Sequence, residues 1–297
     1  MKNNIVIGTW PLSGDWGPID ISQVIETLEK CYYDYGFIEY DTAPNYGNGF
    51  SEFILGKIFS SESKILFNTK VGNSPFNKKS FDIDSIKLSI EQSLYRLNRT
   101  SINVLFLHNP RYEIKNYNKI LKLLNDYKSL GVIKCIGLSC ARGFKYNKYV
   151  NMNEFDFIQD DINLLCVDRL YENKSYNYYA RSPLASGLLS GKINKYTIFE
   201  KTDHRSSWLT GDRLHSLTKR VDILKKLSND DIISMASRFL IHSPKIFKVI
   251  FGVRAISHVE RLNDLRNSLP LNDSIIDQIF SLYENDFGMS DEKHLRF

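Results

Sequence analysis

Cysteine is scarce and poorly spaced. Cys31, Cys135, Cys140 and Cys166 form no C-x-x-C pair and no Cys/His cluster with zinc spacing, which excludes a disulfide framework and a structural zinc site. Reduced thiols in a reducing compartment are expected instead, with no metal. Long apolar runs are also missing. None approaches the ~20 residues that a membrane span needs, and the opening Met1-Lys2-Asn3-Asn4 leads into Ile5-Val6-Ile7 too quickly for a signal peptide. These absences predict a cytoplasmic chain with no membrane partner. There is no long basic block either: 39 Lys and Arg are interleaved with 34 Asp and Glu for a net charge of +5. That balance gives little footprint for nucleic acid and suits a small anionic ligand. No linker or low-complexity stretch divides the chain, so residues 1–297 read as one domain.

What is present is alternation. The 297 residues modestly exceed the ~250 of a single α/β barrel, and 42% of them are hydrophobic, enough for one large core. Short apolar runs predict strands at 5–9, 37–40, 64–69, 102–107, 133–138, 155–159, 178–182 and 247–252. Helical patterns lie between them: 21–35 with Asp20 as N-cap and Gly36 as stop, 51–59, 84–97, and 117–130 stopped by Gly131. The eighth unit follows a longer insertion. There Ser228-Asn229-Asp230-Asp231 reads as a capping box for a helix to about 241, and helices at 257–266 and 275–285 close the chain. Eight such repeats favour a closed (β/α)8 barrel with extra C-terminal helices over an open sheet. No G-x-G-x-x-G follows any strand, which removes the main support for a doubly wound dinucleotide fold.

Three of the strand runs end in groups that can exchange protons. After the second comes Asp41-Thr42-Ala43-Pro44-Asn45-Tyr46, after the third Asn68-Thr69-Lys70, and after the fourth His108. Catalytic groups of barrel enzymes sit at the C-terminal ends of successive strands. A phenol beside an ammonium and an imidazole can serve as a proton donor if its pKa is drawn down from about 10, and Asp41 can pair with Lys70. Taken singly, Asp41 and Lys70 could be a structural ion pair, Tyr46 one of 17 tyrosines, and His108 a core histidine. Their joint placement favours catalysis. Trp10 and Trp16 flank a loop after the first strand, where they could stack on a sugar or apolar substrate or simply order their own loop. The tail at 287–297 could cover the site or be a frayed end.

At this point the chain resembles the aldo-keto reductase family over nearly its whole length. The resemblance is carried by Asp41-Thr42-Ala43-x-x-Tyr46-Gly47 with Ser51-Glu52 and Leu55-Gly56, then Thr69-Lys70, Leu107-His108, Gly131-x-Ile133-x-x-Ile136-Gly137-Leu138-Ser139, Ile158-Gln159, the run from Ser182 to Lys192, and Ile250-x-Gly252-x-Arg254. It implies reduction of a carbonyl by NADPH, with Tyr46 as proton donor, Lys70 and Asp41 tuning it, and His108 orienting the substrate. It also implies that Ser139 and Gln159 hold a nicotinamide carboxamide, that Ser182, Leu184 and Ser186 meet the pyrophosphate, and that Gly252, Arg254 and His258 lie along the adenosine 2′-phosphate. NADP(H) is therefore expected ahead of NAD(H).

Departures from the family pattern are Cys140 where an Asn is common, Arg181 where an aromatic ring stacks on the nicotinamide, and Leu262 where an Asn often meets adenine. Arg181 could stack in the ring's place or reach a polar substrate. The N-terminal hairpin that plugs many such barrels is expected to be missing, leaving the barrel bottom to be closed by side chains or another chain. A sugar-like carbonyl is the expected substrate. The rivals are an NAD(P)+-dependent sugar dehydrogenase working oxidatively and a non-catalytic NADP(H)-sensing regulatory subunit. The sequence carries no statement of oligomeric state.

Overall fold

A computed structural model describes residues 4–110, 114–140, 150–172, 176–289 and 297. Eight parallel strands close into a barrel in chain order, with the last paired back to the first. They are β1 (Ile5–Gly8), β2 (Glu39–Asp41), β3 (Leu66–Val71), β4 (Ile102–His108), β5 (Ile133–Ser139), β6 (Phe157–Asp161), β7 (Tyr178–Arg181) and β8 (Ile246–Gly252). The α-helices are α1 (Ile21–Glu29), α2 (Phe50–Ile58), α3 (Ile83–Leu97), α4 (Tyr117–Ser129), α5 (Gly211–Leu224), α6 (Ile232–Ile241), α7 (Ile256–Arg266) and α8 (Asp273–Glu284). The expected (β/α)8 barrel is therefore present, with α8 as an extra C-terminal helix. A 3-10 helix, Asp168–Tyr171, stands in the β6–β7 connection. The β5–β6 connection falls largely in 141–149, outside the described residues.

Two cores follow from the period-2 alternation of the strands. Side chains facing outward join the helices in one large apolar cluster. Those facing inward, Val6, Val104, Phe106, Tyr179 and Ile250, fill the barrel. Gly137 is needed there, because a Cβ at that position would run into the Phe106 ring. At the N-terminal end of the interior, Glu39 accepts from Asn68 Nδ2 and Tyr179 Oη, both at 2.8 Å, and pairs with Lys248 at 2.8 Å. Phe157 stacks on Phe247 beside them, with ring centroids 5.1 Å apart. Side chains thus close this end, and among the described residues no hairpin precedes β1.

The structure shifts several expected boundaries, each for a local reason. The first helix is α-helical only to Glu29 and continues as a π-helical turn, Lys30–Asp34, before Gly36 reverses it at φ +65°. Phe37 N is spent on Cys31 O (2.8 Å), so β2 begins at Glu39 and includes Asp41. The cap of α6 is Asp231, whose carboxylate accepts from Ser234 N at 3.0 Å. Ser228 accepts only from Asp230 N, so the capping box expected there does not form. Helix α5 was not anticipated. Its Thr210 N-cap makes no side-chain bond, although the buried spacing of Leu214, Leu217, Val221 and Leu224 was a usable signal.

Candidate active site

The barrel interior ends at its C-terminal rim in a polar layer. Asp41 closes β2, Lys70 is the penultimate residue of β3, and His108 closes β4. All three lie within their strands rather than just past them. Alternation carries them inward with Ser139, Gln159 and Arg181, and the register aligns His108 with Ser139 and Ser139 with Gln159. Lys70 Nζ donates to Asp41 Oδ1 at 2.6 Å and to Thr42 O at 2.7 Å. The other carboxylate oxygen accepts from Gln159 Nε2 at 2.8 Å, and Gln159 Oε1 accepts from Ser139 Oγ at 2.8 Å. One continuous chain therefore runs from β5 through β6 to β2 and β3. Lys70 is only 1% exposed. A charge so buried is tolerated because it is paired and hydrogen-bonded.

Tyr46 reaches this layer from the turn after β2, and Lys70 Nζ lies 5.0 Å from the centroid of its ring. The turn, Tyr46–Gly49, needs left-handed backbone at Gly47 and Asn48. At Gly47 a Cβ would stand 2.5 Å from Ser13 O, so the loop after β1 sits directly on the Tyr46 turn. The His108 ring approaches edge-on, 6.3 Å from the Tyr46 ring. Burial holds the phenol above its ordinary pKa, while the charges of Lys70 and Arg181 pull it back. The expected net lowering is therefore absent. Burial also pulls Lys70 down, but Asp41 and Tyr46 more than offset it. Burial and the cations Lys70, Arg181 and Lys79 keep His108 well below its usual value, which makes it a neutral imidazole. Its Nδ1 is buried with no partner among the described residues. The cluster thus presents a protonated phenol next to an ammonium and a neutral imidazole.

The expected cofactor positions lie at the C-terminal ends of β5 to β8 and in the segments that follow β7 and β8. Ser139 and Gln159 are engaged with each other. Cys140 is buried and its thiol is pushed well above the ordinary range by burial. An amide nevertheless occupies this corner: in the orientation that satisfies both amide atoms, Asn109, at φ +49°, donates Nδ2 to Cys140 O at 2.8 Å and Ser139 O at 3.2 Å. Arg181 Nη2 also donates to Cys140 O at 2.7 Å and pairs with Asp161 at 3.3 Å. After β7, the segment Ser182-Pro183-Leu184-Ala185-Ser186-Gly187 takes positive φ at Ser182, Ala185, Ser186 and Gly187. Ala185 N and Gly187 N are used within the turn, on Ser182 O and Leu184 O, while Ser182 and Ser186 add short hydroxyl side chains. Beyond Gly252, Arg254 donates to Trp16 O at 2.5 Å and Pro18 O at 3.0 Å, and its own N–H donates to His258 Nδ1 at 3.2 Å. The donor set fits a nicotinamide dinucleotide: hydroxyl and amides at one end, serine hydroxyls in the middle, basic groups at the other.

Trp10 lies against the phenol of the cluster. Its ring stacks on Tyr46, with centroids 5.9 Å apart, and meets His204 at 4.9 Å. Trp16 packs edge-on against Trp10 and lies under the Arg205 guanidinium at 4.6 Å. Its ring therefore orders the loop. Several contributors escaped the sequence reading. Asp15 holds Trp10 Nε1 at 2.9 Å and Ser13 Oγ at 2.8 Å. Asp15 O accepts from His204 N at 3.1 Å, bridging the loop after β1 to the β7–α5 connection. Arg205 is clamped on Asp203. The signal was the tryptophan count: all three, Trp10, Trp16 and Trp208, belong to this one cluster through His204. Of the tail, 290–296 lie outside the described residues, while Phe287 is buried and Phe297 packs 6.4 Å from Trp208. Among the described residues no group of three or more His, Cys, Asp or Glu side chains is arranged to hold a metal, and no helix is long and apolar enough to cross a membrane.

Comparison with known proteins agrees with this geometry. The model of the aldo/keto reductase family matches residues 4–284. Aldo-keto reductase YhdN of Bacillus subtilis is 27% identical over 286 residues, covering 89% of this chain and 85% of that protein. The NADH-specific methylglyoxal reductase of Escherichia coli is 29% identical over 218 residues, 64% of this chain and 66% of that one. The glycerol dehydrogenase of Gluconobacter oxydans superposes with a TM-score of 0.79 at 22% identity, covering 98% and 94%, a likeness of fold. The chain belongs to the aldo/keto reductase family. It is a nicotinamide-dependent oxidoreductase that interconverts carbonyl compounds and alcohols.

Proposed function

We propose that the chain, acting as a single catalytic domain, reduces an aldehyde or ketone with NADPH, and that Tyr46 is the proton donor. The observation that carries this reading is the Asp41–Lys70–Tyr46 contact, with a buried ammonium 2.6 Å from a carboxylate and 5.0 Å from the phenol ring. When bound, the reduced nicotinamide supplies a hydride to the carbonyl carbon. Tyr46 Oη gives its proton to the carbonyl oxygen, so one C–H and one O–H bond form. The phenolate left behind is stabilised by Lys70, and the proton is restored from water. A phenol held protonated by burial is ready to donate, and the adjacent ammonium lowers the cost of the anion that results. Asp41 fixes Lys70, Gln159 fixes Asp41, and neutral His108 orients the carbonyl oxygen by a hydrogen bond.

Ser139, Gln159 and Asn109 suit the carboxamide end of the cofactor, and the Ser182–Gly187 loop suits its pyrophosphate. For the 2′-phosphate the support is basic: Arg254 and Lys192 both act on His258, and with burial they lower its pKa. Both terminal nitrogens of Arg254 are already engaged with loop carbonyls, and one relative is NADH-specific, so NAD(H) is the second reading. A sugar or other polyhydroxy carbonyl suits the Trp10 wall beside Tyr46. The oxidative direction uses the same groups in reverse. The test is an NADPH- and NADH-consumption screen over aldehydes, ketoses and oxidised sugars, with Arg254→Ala alongside. The reading expects turnover of at least one carbonyl and a loss of NADPH affinity, but not NADH affinity, in the variant. Equal wild-type affinities for the two cofactors would remove the 2′-phosphate role. Cofactor binding without turnover of any carbonyl would favour a regulatory subunit.

A further inference from the structure

We propose that Arg181 is a substrate-binding residue and that the preferred substrates are carbonyl compounds carrying a carboxylate. This rests on the reductase reading of the same site and adds the substrate class to it. Arg181 closes β7 on the inward face, two residues after Tyr179, and is aligned with Asp161 across the ladder. It therefore enters the mouth of the barrel from the same rim as Ser139, Gln159 and His108. Its guanidinium is held along one edge only. Nη2 donates to Cys140 O at 2.7 Å and meets Asp161 Oδ2 at 3.3 Å. Nε is buried and has no partner among the described residues. A guanidinium has five N–H donors in a fixed fork, and buried donors are rarely left unmatched. The fork is anchored but unsaturated.

The electrostatics of the mouth point the same way. The charge of Arg181 is felt at both the Tyr46 phenol and the His108 imidazole; Lys70 adds to it at both, and Lys79 at the imidazole. Of the nearby carboxylates, Asp41 is committed to Lys70 and Gln159, and Asp160 to Arg169 at 2.7 Å. Asp161 meets Arg181 at 3.3 Å, too long for a tight fork-to-fork pair. A planar carboxylate is the partner that matches a guanidinium edge, and a neutral carbonyl compound gains nothing comparable from it. An aromatic residue here would offer only a stacking face. Arg181 offers a flat face and a charge, set beside the proton donor.

The test compares benzaldehyde with 4-carboxybenzaldehyde and butanal with succinic semialdehyde, using wild type, Arg181→Gln and Arg181→Lys. Wild type is expected to favour each carboxylated member by at least about tenfold in kcat/KM, and Arg181→Gln to erase that preference, mainly through KM. Arg181→Lys restores part of it, because charge returns without the fork. Benzoate binding, followed by quenching of tryptophan fluorescence, is measured in parallel. It should weaken about tenfold in Arg181→Gln and recover partly in Arg181→Lys. Equal losses for neutral and carboxylated aldehydes would mean that Arg181 serves only as a platform for the cofactor ring, and would overturn the proposal. So would unchanged benzoate affinity in Arg181→Gln. If neither kind of aldehyde turns over, the reductase reading fails, and the benzoate titration still decides for or against an anion site.

Discussion

Replacing Asp41 by Asn removes one charge from the most buried ion pair of the site and keeps its shape. Lys70 loses its 2.6 Å carboxylate partner and keeps Thr42 O at 2.7 Å, and Gln159 Nε2 loses the carboxylate at 2.8 Å. Breaking a buried pair from one side typically costs about 3–5 kcal/mol, because the remaining charge is stranded. Unfolding entropy scales at about 2.1 cal/mol/K per residue. For 297 residues, a loss of about 4 kcal/mol would then lower Tm by roughly 6 °C. The pH dependence is more diagnostic. In the parent protein the folded-state pKa of Lys70 is raised. Its contribution to stability is thus complete below the unfolded value of about 10.4 and lost as pH rises through the folded value. In Asp41→Asn, Tyr46 and Thr42 O still support the ammonium, but burial, the largest influence, is no longer outweighed and the Lys70 pKa falls. Folding then releases a proton wherever the pH lies between the folded and unfolded values, and the deficit should shrink as pH climbs toward about 10. Urea unfolding of both proteins at several pH values checks this. A deficit below about 1 kcal/mol, or one independent of pH, would refute the reasoning.

Two further outcomes follow from the same geometry. His108 should remain a neutral imidazole through about pH 6–8, because its folded-state pKa is depressed. Its stabilising contribution is present above the unfolded value of about 6.5 and lost as pH falls through the folded one. NMR of the labelled ring showing an ordinary titration near 6.5 would contradict this. Gly47→Ala forces a Cβ toward Ser13 O at φ +56° and should cost about 1–3 kcal/mol, with a fall in turnover as Tyr46 shifts. Unchanged Tm and turnover would show that the loop after β1 does not brace the catalytic turn.

The fold was legible because parallel barrel strands are buried on both faces and appear as short apolar runs. Boundaries slipped where a polar residue belongs to a strand. Asp41 and His108 are rim residues whose side chains face inward, and in sequence they read as the first residues past the strand. The central cluster was legible too, since four chemically distinct groups stand at successive strand ends. What surrounds it was not. Asn109 comes to the corner beside Cys140 only through its left-handed backbone, and the Asp15–His204 bridge joins loops nearly 190 residues apart. The fall in phenol pKa expected from Lys70 alone was reversed by burial, a quantity that spacing does not carry. The buried chain from Ser139 through Gln159 to Asp41 links residues matched to the cofactor amide with those matched to proton transfer. A change at either end will therefore be felt at the other.

The central claim is that Tyr46 donates the proton, and Tyr46→Phe tests it most directly. The substitution keeps the ring stacked against Trp10 and deletes only the hydroxyl. Turnover of a carbonyl identified in the NADPH screen should fall by about 10²–10⁴-fold, with cofactor affinity and Tm nearly unchanged. Full turnover in that variant would contradict the account.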